Sequence, residues 1–581
     1  MRNKTLGGRT LNRRRFGAML GRIALLPIPL GIELLGQVSS GIPVDNRLGE
    51  GEVLQEWRDI GQFSAVLVRI AYRFVGLQMK IFSQYRERRD GCMISRVFEV
   101  KRRFRLRYPW SKALQWNAPA VIVLLCVITA AAAVSFKSLV TFTGSNGSTA
   151  VAGVAQGSDG NFYGTTNTGG ANSAGTVFKL TPGGTLTTIY SFCALMNCAD
   201  GELPYGGLVL GTDGNFYGTT QYGGSTGAGG MTGFGTVFRI TKTGTMTVLH
   251  NFCTGDCSDG NHPIGNLIEG NDGHYYGAAV GGVNSYGGIF KITPGGTFTL
   301  LHGFTESDGS APNGSLVLGT DGNFYGTTRA GGTNNRGTAF RMTPAGTLTT
   351  LYSFCNLTGC ADGDAPYSGL IQASDGFFYG ATTSGGSTGY GTAFKITAGG
   401  KLTTLHSFDA TNEGYDPVGG VIQATDGNLY GATPEGGING HGTLYQMTTG
   451  GSVTLLHNFD GTDGSGAVSA PTQSTGGAFF GTTNAGGNSE QNIGTVYRLA
   501  NGLGAFVETV PVSDPVGGAV TILGSSLTGS TSVTFNGVAA TFTVVSPTEI
   551  KTTVPTGATT GKVQVVTPGG TLTSNVNFRV R

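Results

Sequence analysis

Short hydrophobic segments separated by glycine-rich turns fill most of this 581-residue chain. Between residues 138 and 502 these segments are rich in Val, Ile, Thr, Phe and Tyr, and they are bounded by Gly, Asp, Asn or Pro. This is the pattern of β-strands joined by tight turns, in which Asp-Gly and Pro-Gly-Gly supply the positive φ that hairpins need. Helical periodicity is missing over the same residues. The pattern therefore predicts an all-β region.

Four segments recur together, in a fixed order, as one unit of roughly fifty residues. The clearest, Asp-Gly-Asn-Phe-Tyr-Gly, begins at Asp159, Asp213, Asp272, Asp321, Asp375 and Asp426, with a degenerate seventh copy at Gly476. A second, Gly-Thr-Val-Phe-Lys-Leu-Thr, contains the aromatic residues Phe178, Phe238, Phe290, Phe340, Phe394, Tyr445 and Tyr497. A third, Leu-Thr-Thr-Leu-His-Ser-Phe, ends in Phe192, Phe252, Phe304, Phe354, Phe408 and Phe459. A fourth, Gly-Gly-Leu-Val-Leu-Gly, precedes each Asp-Gly turn with variations.

The count of units depends on where the first one begins. Leu139–Phe142 matches the end of the third segment, so seven whole four-strand units fit between residues 138 and 502. Four consecutive antiparallel strands describe one propeller blade, and a closed ring lets each blade cover its neighbour's apolar face. We predict a seven-bladed β-propeller over 138–502. An open β-solenoid is the alternative, which would need longer parallel ladders and shorter coils.

The pattern changes after Gly502. Residues 504–581 contain short alternating strands at Ala519–Gly524, Val533–Phe542, Ile550–Val554, Lys562–Val566 and Val576–Phe578. This arrangement is typical of a small immunoglobulin-like β-sandwich, which we predict as the last domain.

An uncharged apolar segment at 118–134 precedes the repeats and follows a basic run at 101–107. Basic residues, an apolar stretch and small residues at Ala131–Ala133 come in the order of a secretory signal. The segment is also near the lower length limit for a membrane-spanning helix. We predict an N-terminal hydrophobic helix that is either a cleaved signal or a retained membrane anchor, and hence an extracytoplasmic protein, secreted or attached to the cell surface.

The position of this segment is unusual, because a signal belongs at the start of a chain. Met93 begins a stretch that would make an ordinary leader, so we interpret residues 1–117 as a basic leader in which translation starts at Met93, with Met79 as an alternative. The run Asn12–Phe16 loosely resembles a twin-arginine export motif, but Arg22 and Pro27 interrupt the hydrophobic stretch after it.

Composition and charge support this interpretation. Charged residues are 12% of the chain, about half the usual share, while aromatic residues at 9% argue against disorder. Residues 1–117 carry a net charge of +13 and the remainder −10. A basic region can bind nucleic acid, but directly before an apolar segment it more often marks the cytoplasmic side of an export signal. We therefore predict no nucleic-acid partner, and contact with a membrane only through the N-terminal segment.

The recurring Asp-Gly-Asn-Phe-Tyr-Gly-Thr-Thr and Gly-Thr-Val-Phe-Lys-Leu-Thr-Pro-Gly-Gly resemble the Gloeo/Verruco tandem-repeat family of bacterial exported proteins. The resemblance covers residues 138–502 and implies export with varied surface anchors; the family is known by its repeat rather than by an activity. Residues 504–581 resemble the IPT/TIG domain, although the opening of that domain is only partly present at Val510–Pro515. This second resemblance implies a spacer or a protein-interaction role.

Six of the eight cysteines form closely spaced pairs in the loops that follow the third segment. They are Cys193 with Cys198, Cys253 with Cys257, and Cys355 with Cys360. Outside the cytoplasm such pairs are expected to form local disulfides. A zinc site would need four converging ligands, whereas these pairs belong to different repeats. We predict three disulfides and no metal.

Other reactive residue types follow the repeat. Histidine recurs at one position, as His250, His302, His406 and His457, where other units have Tyr190 and Tyr352. A basic residue recurs after the second-segment aromatic, as Lys179, Arg239, Lys291, Arg341, Lys395 and Arg498, with Gln446 in the sixth unit. The basic set could line a channel and bind an anionic glycan, but we expect it to pair with turn aspartates. The acidic turn residues could hold calcium, but none follows the twelve-residue calcium-loop spacing.

No catalytic residue, cofactor site or metal site is predicted, and no polar residues that break the repeat near one channel opening are recognised. The preferred function is a non-enzymatic binding or adhesion module at the cell surface, for an extracellular glycan or a surface protein. The alternatives are an extracellular polysaccharide-acting propeller enzyme, a lyase or glycosidase, and a structural envelope protein.

Overall fold

The computed structural model describes residues 134–224, 233–487 and 491–581. These residues form β-strands with three short 3-10 turns, at Met196–Cys198, Val283–Ser285 and Thr358–Cys360. The predicted all-β class is confirmed for this part of the chain. Met93, the basic leader and the apolar segment as far as residue 133 lie outside the described residues. Within the described ranges, none of the helical segments has the length and apolar character that crossing a bilayer requires.

The repeats begin with strand β1 (Ser135–Thr141), and seven antiparallel sheets follow one another along the chain. Each sheet has four strands, and β1 is the fourth strand of the seventh sheet. Sheet 1 contains β2 (Ala155–Gln156), β3 (Phe162–Thr166), β4 (Thr176–Leu180) and β5 (Leu186–Ser191). Sheet 2 contains β6 (Val209–Leu210), β7 (Phe216–Thr220), β8 (Thr236–Ile240) and β9 (Met246–Asn251). Sheet 3 contains β10 (Ile268–Glu269), β11 (Tyr275–Ala279), β12 (Gly288–Ile292) and β13 (Phe298–Gly303). Sheet 4 contains β14 (Val317–Leu318), β15 (Phe324–Thr328), β16 (Thr338–Met342) and β17 (Leu348–Ser353).

Sheets 5 to 7 repeat this arrangement. Sheet 5 contains β18 (Ile371–Gln372), β19 (Phe378–Thr382), β20 (Thr392–Ile396) and β21 (Leu402–Ser407). Sheet 6 contains β22 (Val421–Gln423), β23 (Leu429–Thr433), β24 (Thr443–Met447) and β25 (Val453–Asn458). Sheet 7 contains β26 (Thr472–Gln473), β27 (Phe479–Thr483) and β28 (Thr495–Ala500), and β1 completes it by pairing antiparallel with β28. The first and last strands of the repeats therefore share one sheet.

The sheets pack in a cycle, each against the next. Tyr163 of sheet 1 lies in one apolar cluster with Phe216 of sheet 2, and equivalent clusters join every consecutive pair as far as sheets 6 and 7. A last cluster brings Phe480 of sheet 7 against Phe162 of sheet 1. Every sheet thus has a neighbour on both faces, which is why the second strands are buried along their whole length.

The Phe-Tyr pair of the first repeat segment joins the sheets. Neighbouring side chains of a strand point to opposite faces, so Phe162 faces the preceding sheet and Tyr163 the following one. The ring of Tyr163 lies 4.2 Å from that of Phe216, and Tyr325 of sheet 4 lies 3.9 Å from Phe378 of sheet 5. Aromatic pairs of this kind contribute about 0.5–1.5 kcal/mol beyond their buried area. The repetition of the dipeptide is thus explained by one contact made at successive sheet interfaces.

Two ends of each sheet can be distinguished from its connections. The hairpins between first and second strands, and in sheets 1 to 6 also those between third and fourth strands, lie at one end, here called the turn end. The connections between second and third strands, and those from one sheet to the next, lie at the opposite end, here called the loop end.

The residues after Gly502 form a β-sandwich with its own core. One sheet has the order β29 (Glu508–Val510), β31 (Ala519–Leu523), β35 (Glu549–Thr553) and β34 (Phe542–Ser546). The other has the order β33 (Val538–Ala539), β32 (Ser532–Phe535), β36 (Val563–Thr567) and β37 (Gly570–Thr573), and a short parallel pair joins β30 (Ser513–Asp514) to β38 (Arg579–Val580). Val520, Phe535, Ile550, Val563 and Phe578 are among the buried residues between the two sheets.

The sandwich contacts the repeats at their turn end. The Thr548 hydroxyl donates to the Ser158 carbonyl (2.7 Å), and the Arg579 and Arg581 guanidinium groups donate to the Gly319 (2.5 Å) and Asn271 (2.6 Å) carbonyls. These three carbonyls belong to turns of sheets 1, 4 and 3. The sandwich therefore spans several sheets at the turn end.

Candidate functional site

The connections between sheets share one backbone feature at the loop end. Each connection between sheets contains an equivalent residue with a positive φ: Thr149 (55°), Leu203 (53°), His262 (52°), Ala311 (51°), Ala365 (52°), Asp416 (59°) and Gly466 (69°). A positive φ is uncommon for residues other than glycine. Backbone hydrogen bonds hold it; the Leu203 carbonyl, for example, accepts the N–H of Gln221 at 3.0 Å. Because the backbone is fixed, side chains at and beside this position can differ between repeats.

A cavity of about 430 Å³ lies where these connections meet, and we call it the loop-end cavity. Its lining consists of Val151, Tyr205, Tyr367, Asp416, Val418, Pro434, Glu435, Ser465, Gly466, Val468 and Asn484. Tyr205 precedes sheet 2 and Tyr367 precedes sheet 5, so residues far apart in the repeat order share one cavity. None of the polar lining residues was singled out by the sequence analysis.

Two tyrosines and an arginine form one side of the cavity. Tyr205 and Tyr367 both line this side, and the Arg329 guanidinium carbon lies 5.8 Å from the centre of the Tyr367 ring. Burial raises the pKa of the Tyr367 hydroxyl, the neighbouring Tyr205 side chain adds to this, and the Arg329 charge opposes it. Tyr367 is therefore an uncharged aromatic surface that a nearby cation also contacts.

Two carboxyl groups form another side. Burial raises the pKa of the Asp416 carboxyl above its ordinary value of 3.8, the negative charge of Glu435 raises it further, and Arg329 opposes the shift. The Tyr415 hydroxyl donates to the Glu435 carboxylate, and this bond raises the pKa of Tyr415. The Tyr390 ring lies 5.4 Å from that of Tyr415. Asp416 and Glu435 are thus two acidic groups in one concave, partly aromatic site.

The sequence signal for this site is present but easily overlooked. The residue after the proline of each connection, or after its replacement, varies strongly: Val151, Tyr205, Ile264, Asn313, Tyr367, Val418 and Val468. A difference between copies of a repeat is most informative when the strand order shows that these positions meet. From the sequence alone, two tyrosines among seven aligned residues cannot be distinguished from random variation between repeats.

The six paired cysteines lie in connections at the loop end. Cys193 and Cys198 are placed as a disulfide, with a Cα–Cα distance of 3.9 Å, as are Cys253 and Cys257 (3.9 Å) and Cys355 and Cys360 (4.0 Å). Large apolar side chains are exposed in the same region: Leu195, Met196, Leu357 and Ile438. The loop end therefore combines tightly bent loops with apolar surface.

The recurring histidines anchor these connections. His250 is hydrogen-bonded to Asp259 (2.9 Å), and in another repeat Tyr352 donates to Asp362 (2.7 Å). The second oxygen of each carboxylate accepts backbone N–H groups of the loop, such as that of Cys253 on Asp259 at 2.9 Å. The acidic residue thus closes the loop, and His or Tyr holds it in place.

The recurring basic residues lie at the turn end. Lys179 pairs with the turn residue Asp159 at 2.8 Å, and Gln446 donates to Asp426 at 3.0 Å in the sixth repeat. Tyr163 donates to the same Asp159 oxygen at 2.8 Å. These bonds outweigh the effect of burial, so the pKa of Asp159 lies below its ordinary value.

A larger cavity of about 990 Å³ lies between the turn end and the sandwich. Asp321 and Asp375 line it from the repeats, and Lys562, Arg579 and Arg581 from the sandwich. Within the described ranges, no group of three or more His, Cys, Asp or Glu residues is placed to hold a metal ion.

These features define a class: an all-β repeat protein with a C-terminal immunoglobulin-like sandwich and a loop-end cavity lined by residues that differ between repeats. The family model described as the Gloeobacter/Verrucomicrobia repeat matches residues 126–231, 224–372 and 319–541, and the chain belongs to this family. The IPT/TIG domain model matches residues 508–580. Both resemblances seen in the sequence are confirmed.

Solved structures share the arrangement of strands only loosely. The extracellular domain of a candidate hybrid two-component system from B. thetaiotaomicron is 11% identical, with a TM-score of 0.41; the match covers 67% of this chain and 45% of that one. A candidate 6-phosphogluconolactonase of Bacteroides uniformis is 15% identical, with a TM-score of 0.39, over 56% of this chain and 89% of that one. This chain therefore spans less than half the length of the first of these proteins. No match is found among curated proteins.

Proposed function

We propose that this protein is an exported or cell-surface seven-bladed β-propeller that acts as a binding or adhesion module, taking a carbohydrate or a protein segment at the loop-end cavity. The observation that carries the proposal is the meeting of Tyr205, Tyr367, Asp416 and Glu435 in one cavity of an otherwise repetitive molecule. Binding sites are typically concave and mostly apolar, with a few convergent polar groups.

The propeller assignment is supported by the sheet count and by the cyclic packing. Seven four-stranded sheets lie within the usual range of blade numbers, and β1 pairing with β28 makes the first described strand the outer strand of the last repeat sheet. The sandwich would then cover the turn end of the ring, so that a ligand approaches from the loop end.

Export is supported by the family and by cysteine placement. Three closely spaced cysteine pairs favour an oxidising compartment. The signal or anchor at 118–134 remains part of this proposal. The sandwich would serve as a spacer or as a second interaction module, as its IPT/TIG match suggests.

A screen of the purified full chain against arrayed glycans and bacterial surface proteins tests the proposal. We expect a ligand whose binding weakens by about tenfold or more, equivalent to 1.4 kcal/mol, in a Tyr367→Ala variant. Glu306→Gln is the matched control, because Glu306 is an exposed residue of another loop-end connection and does not line the cavity. Absence of any ligand would contradict the proposal and favour a structural role in the envelope.

A second candidate function is hydrolysis or elimination on an extracellular polysaccharide. Asp416 and Glu435 favour it, since glycosidases use two carboxyl groups of which one has a raised pKa. Assaying every polymer that binds for newly formed chain ends separates the two functions. If the parent protein cleaves a polymer and both the Asp416→Asn and Glu435→Gln variants fail to cleave it, the protein is an enzyme rather than a binding module.

A further inference from the structure

We infer that the loop-end cavity selects a glycan without acidic groups, neutral or amine-bearing, over an acidic one, and that Asp416 and Glu435 impose this selection. The inference rests on the proposed function and names the ligand class of the same cavity.

The first argument is the balance of charge. Asp416 and Glu435 contribute two carboxylates to the cavity, and Arg329 contributes one cation beside it. Arg329 also lies over the Tyr367 ring, so its charge is already shared between an aromatic face and Asp416. An acidic sugar would add a negative charge to a site that has an excess of one, and like charges brought together disfavour binding.

The second argument is the hydrogen-bonding character of the lining. Ionised carboxylates only accept hydrogen bonds, whereas sugar hydroxyl and ammonium groups donate them. Hydrogen bonds to charged groups are the strong ones, so Asp416 and Glu435 suit a ligand rich in donors. The rings of Tyr205 and Tyr367, with Val418 and Val468, supply apolar surface for the C–H faces of a sugar ring.

The third argument concerns the cations that an acidic glycan would need. The sequence also allowed the recurring basic residues as a site for an anionic glycan. These residues lie at the turn end, where Lys179, for example, pairs with Asp159. Lys395 lies 4.8 Å from the centre of the Phe377 ring. At the loop end, Arg336 pairs with Asp364 at 3.1 Å. These cations are already engaged with partners of the chain itself.

The test compares three oligosaccharides of equal length with the full chain, by calorimetry at neutral pH: a neutral glucan, a de-N-acetylated chitin oligomer and an oligogalacturonate. We expect the first two to bind and the acidic one to bind about tenfold more weakly or not at all. In the Asp416→Asn/Glu435→Gln double variant we expect the acidic sugar to gain affinity and the amine-bearing sugar to lose it.

Controls separate this selection from damage to the fold. Glu306→Gln removes one negative charge from the same end of the molecule and should leave the order of affinities unchanged. Tyr367→Ala removes the ring and should weaken binding of the neutral sugar, as in the test of the proposed function. Melting temperatures of all variants show whether the molecule remains folded.

The outcomes are distinguishable. Preference for the acidic sugar, or an order of affinities unaltered in the double variant, would overturn the inference while leaving a binding module in place. Binding of a protein ligand without any of the three sugars would do the same. Absence of every ligand, glycan or protein, would reject the proposed function as well.

Discussion

Gly326 shows how closely the second and third strands of a sheet are packed. A Cβ atom at this position would lie 2.6 Å from the end of the Phe340 ring, closer than real Cβ contacts allow. The aromatic ring of the second repeat segment therefore lies directly on the glycine of the first segment. The Phe-Tyr-Gly sequence is explained by this contact together with the two sheet interfaces.

Replacing Gly326 with alanine should destabilise the protein, because the added methyl group forces the Phe340 ring to move. Overpacking of this kind costs about 1–3 kcal/mol. The free energy of unfolding, measured by urea denaturation, checks the value. Gly399→Ala is the control, since its nearest contact would be a side-chain oxygen at 3.8 Å. Equal stability of the two variants would show that the ring does not lie where we describe it.

Asp416 should make stability depend on pH. Its pKa is raised in the folded protein, so the folded state holds a proton that the unfolded chain loses near pH 3.8. Stability from this group is present at acid pH and is lost as pH rises through the folded-state pKa. We expect Asp416→Asn to become more stable relative to the parent as pH increases from about 4 to about 7. Unfolding measured at both pH values checks the sign, and an advantage that shrinks with pH would contradict it.

At the scale of the element, each Asp-Gly turn is tied to the strand that follows it. The Tyr325 hydroxyl donates to Asp321 at 2.8 Å, and the amide of Asn323 donates to the same carboxylate at 2.7 Å. Sheet 7 lacks this arrangement, because it has Gly476 and Phe480 at the equivalent positions. The sheet still forms, so the turn network adds to stability without being required for the strand pairing.

Tyr325→Phe should therefore reduce the free energy of unfolding without changing the fold. Loss of a hydrogen bond to a charged group costs about 1.5–3 kcal/mol. The loss should be smaller when Asp321→Gly is already present, because the acceptor has gone. A double-mutant cycle by chemical denaturation measures this coupling, and additive effects would exclude the bond as a source of stability.

The connections between sheets should carry three disulfides. Each pair closes a short loop, so its effect on overall stability should be smaller than the approximately 3 kcal/mol of a fifteen-residue loop. Mass spectrometry of the protein from an oxidising compartment should show two hydrogen atoms lost for each of three pairs. Free thiols at Cys193, Cys253 or Cys355 in that material would contradict the assignment.

At the scale of the whole molecule, the sequence was sufficient for the class and for the order of elements. Each repeat contains its own strands and turns, so periodic apolar segments reveal local structure without distant contacts. The last strand of sheet 7 could also be anticipated, because Leu139–Phe142 matches the third repeat segment. The sandwich could be recognised for the same reason, since its strands alternate with a period of two.

The candidate site could not be predicted in this way. Tyr205 and Tyr367 are separated by three repeats, and Asp416 lies in a further one. Their proximity depends on the cyclic packing of all seven sheets, which local periodicity does not contain. The repeats also give no reason to select these residues, because most reactive residue types in this chain, such as the histidines, recur for structural reasons.

The central claim is that ligand binds in the loop-end cavity of a closed ring. A crystal structure of the full chain with the oligosaccharide that binds most tightly tests it most directly. We predict seven sheets around one axis, with the sugar against Tyr205 and Tyr367 and its hydroxyl groups on Asp416 and Glu435. A sugar bound in the cavity beside Arg579 and Arg581, or an open coil of sheets, would contradict the account.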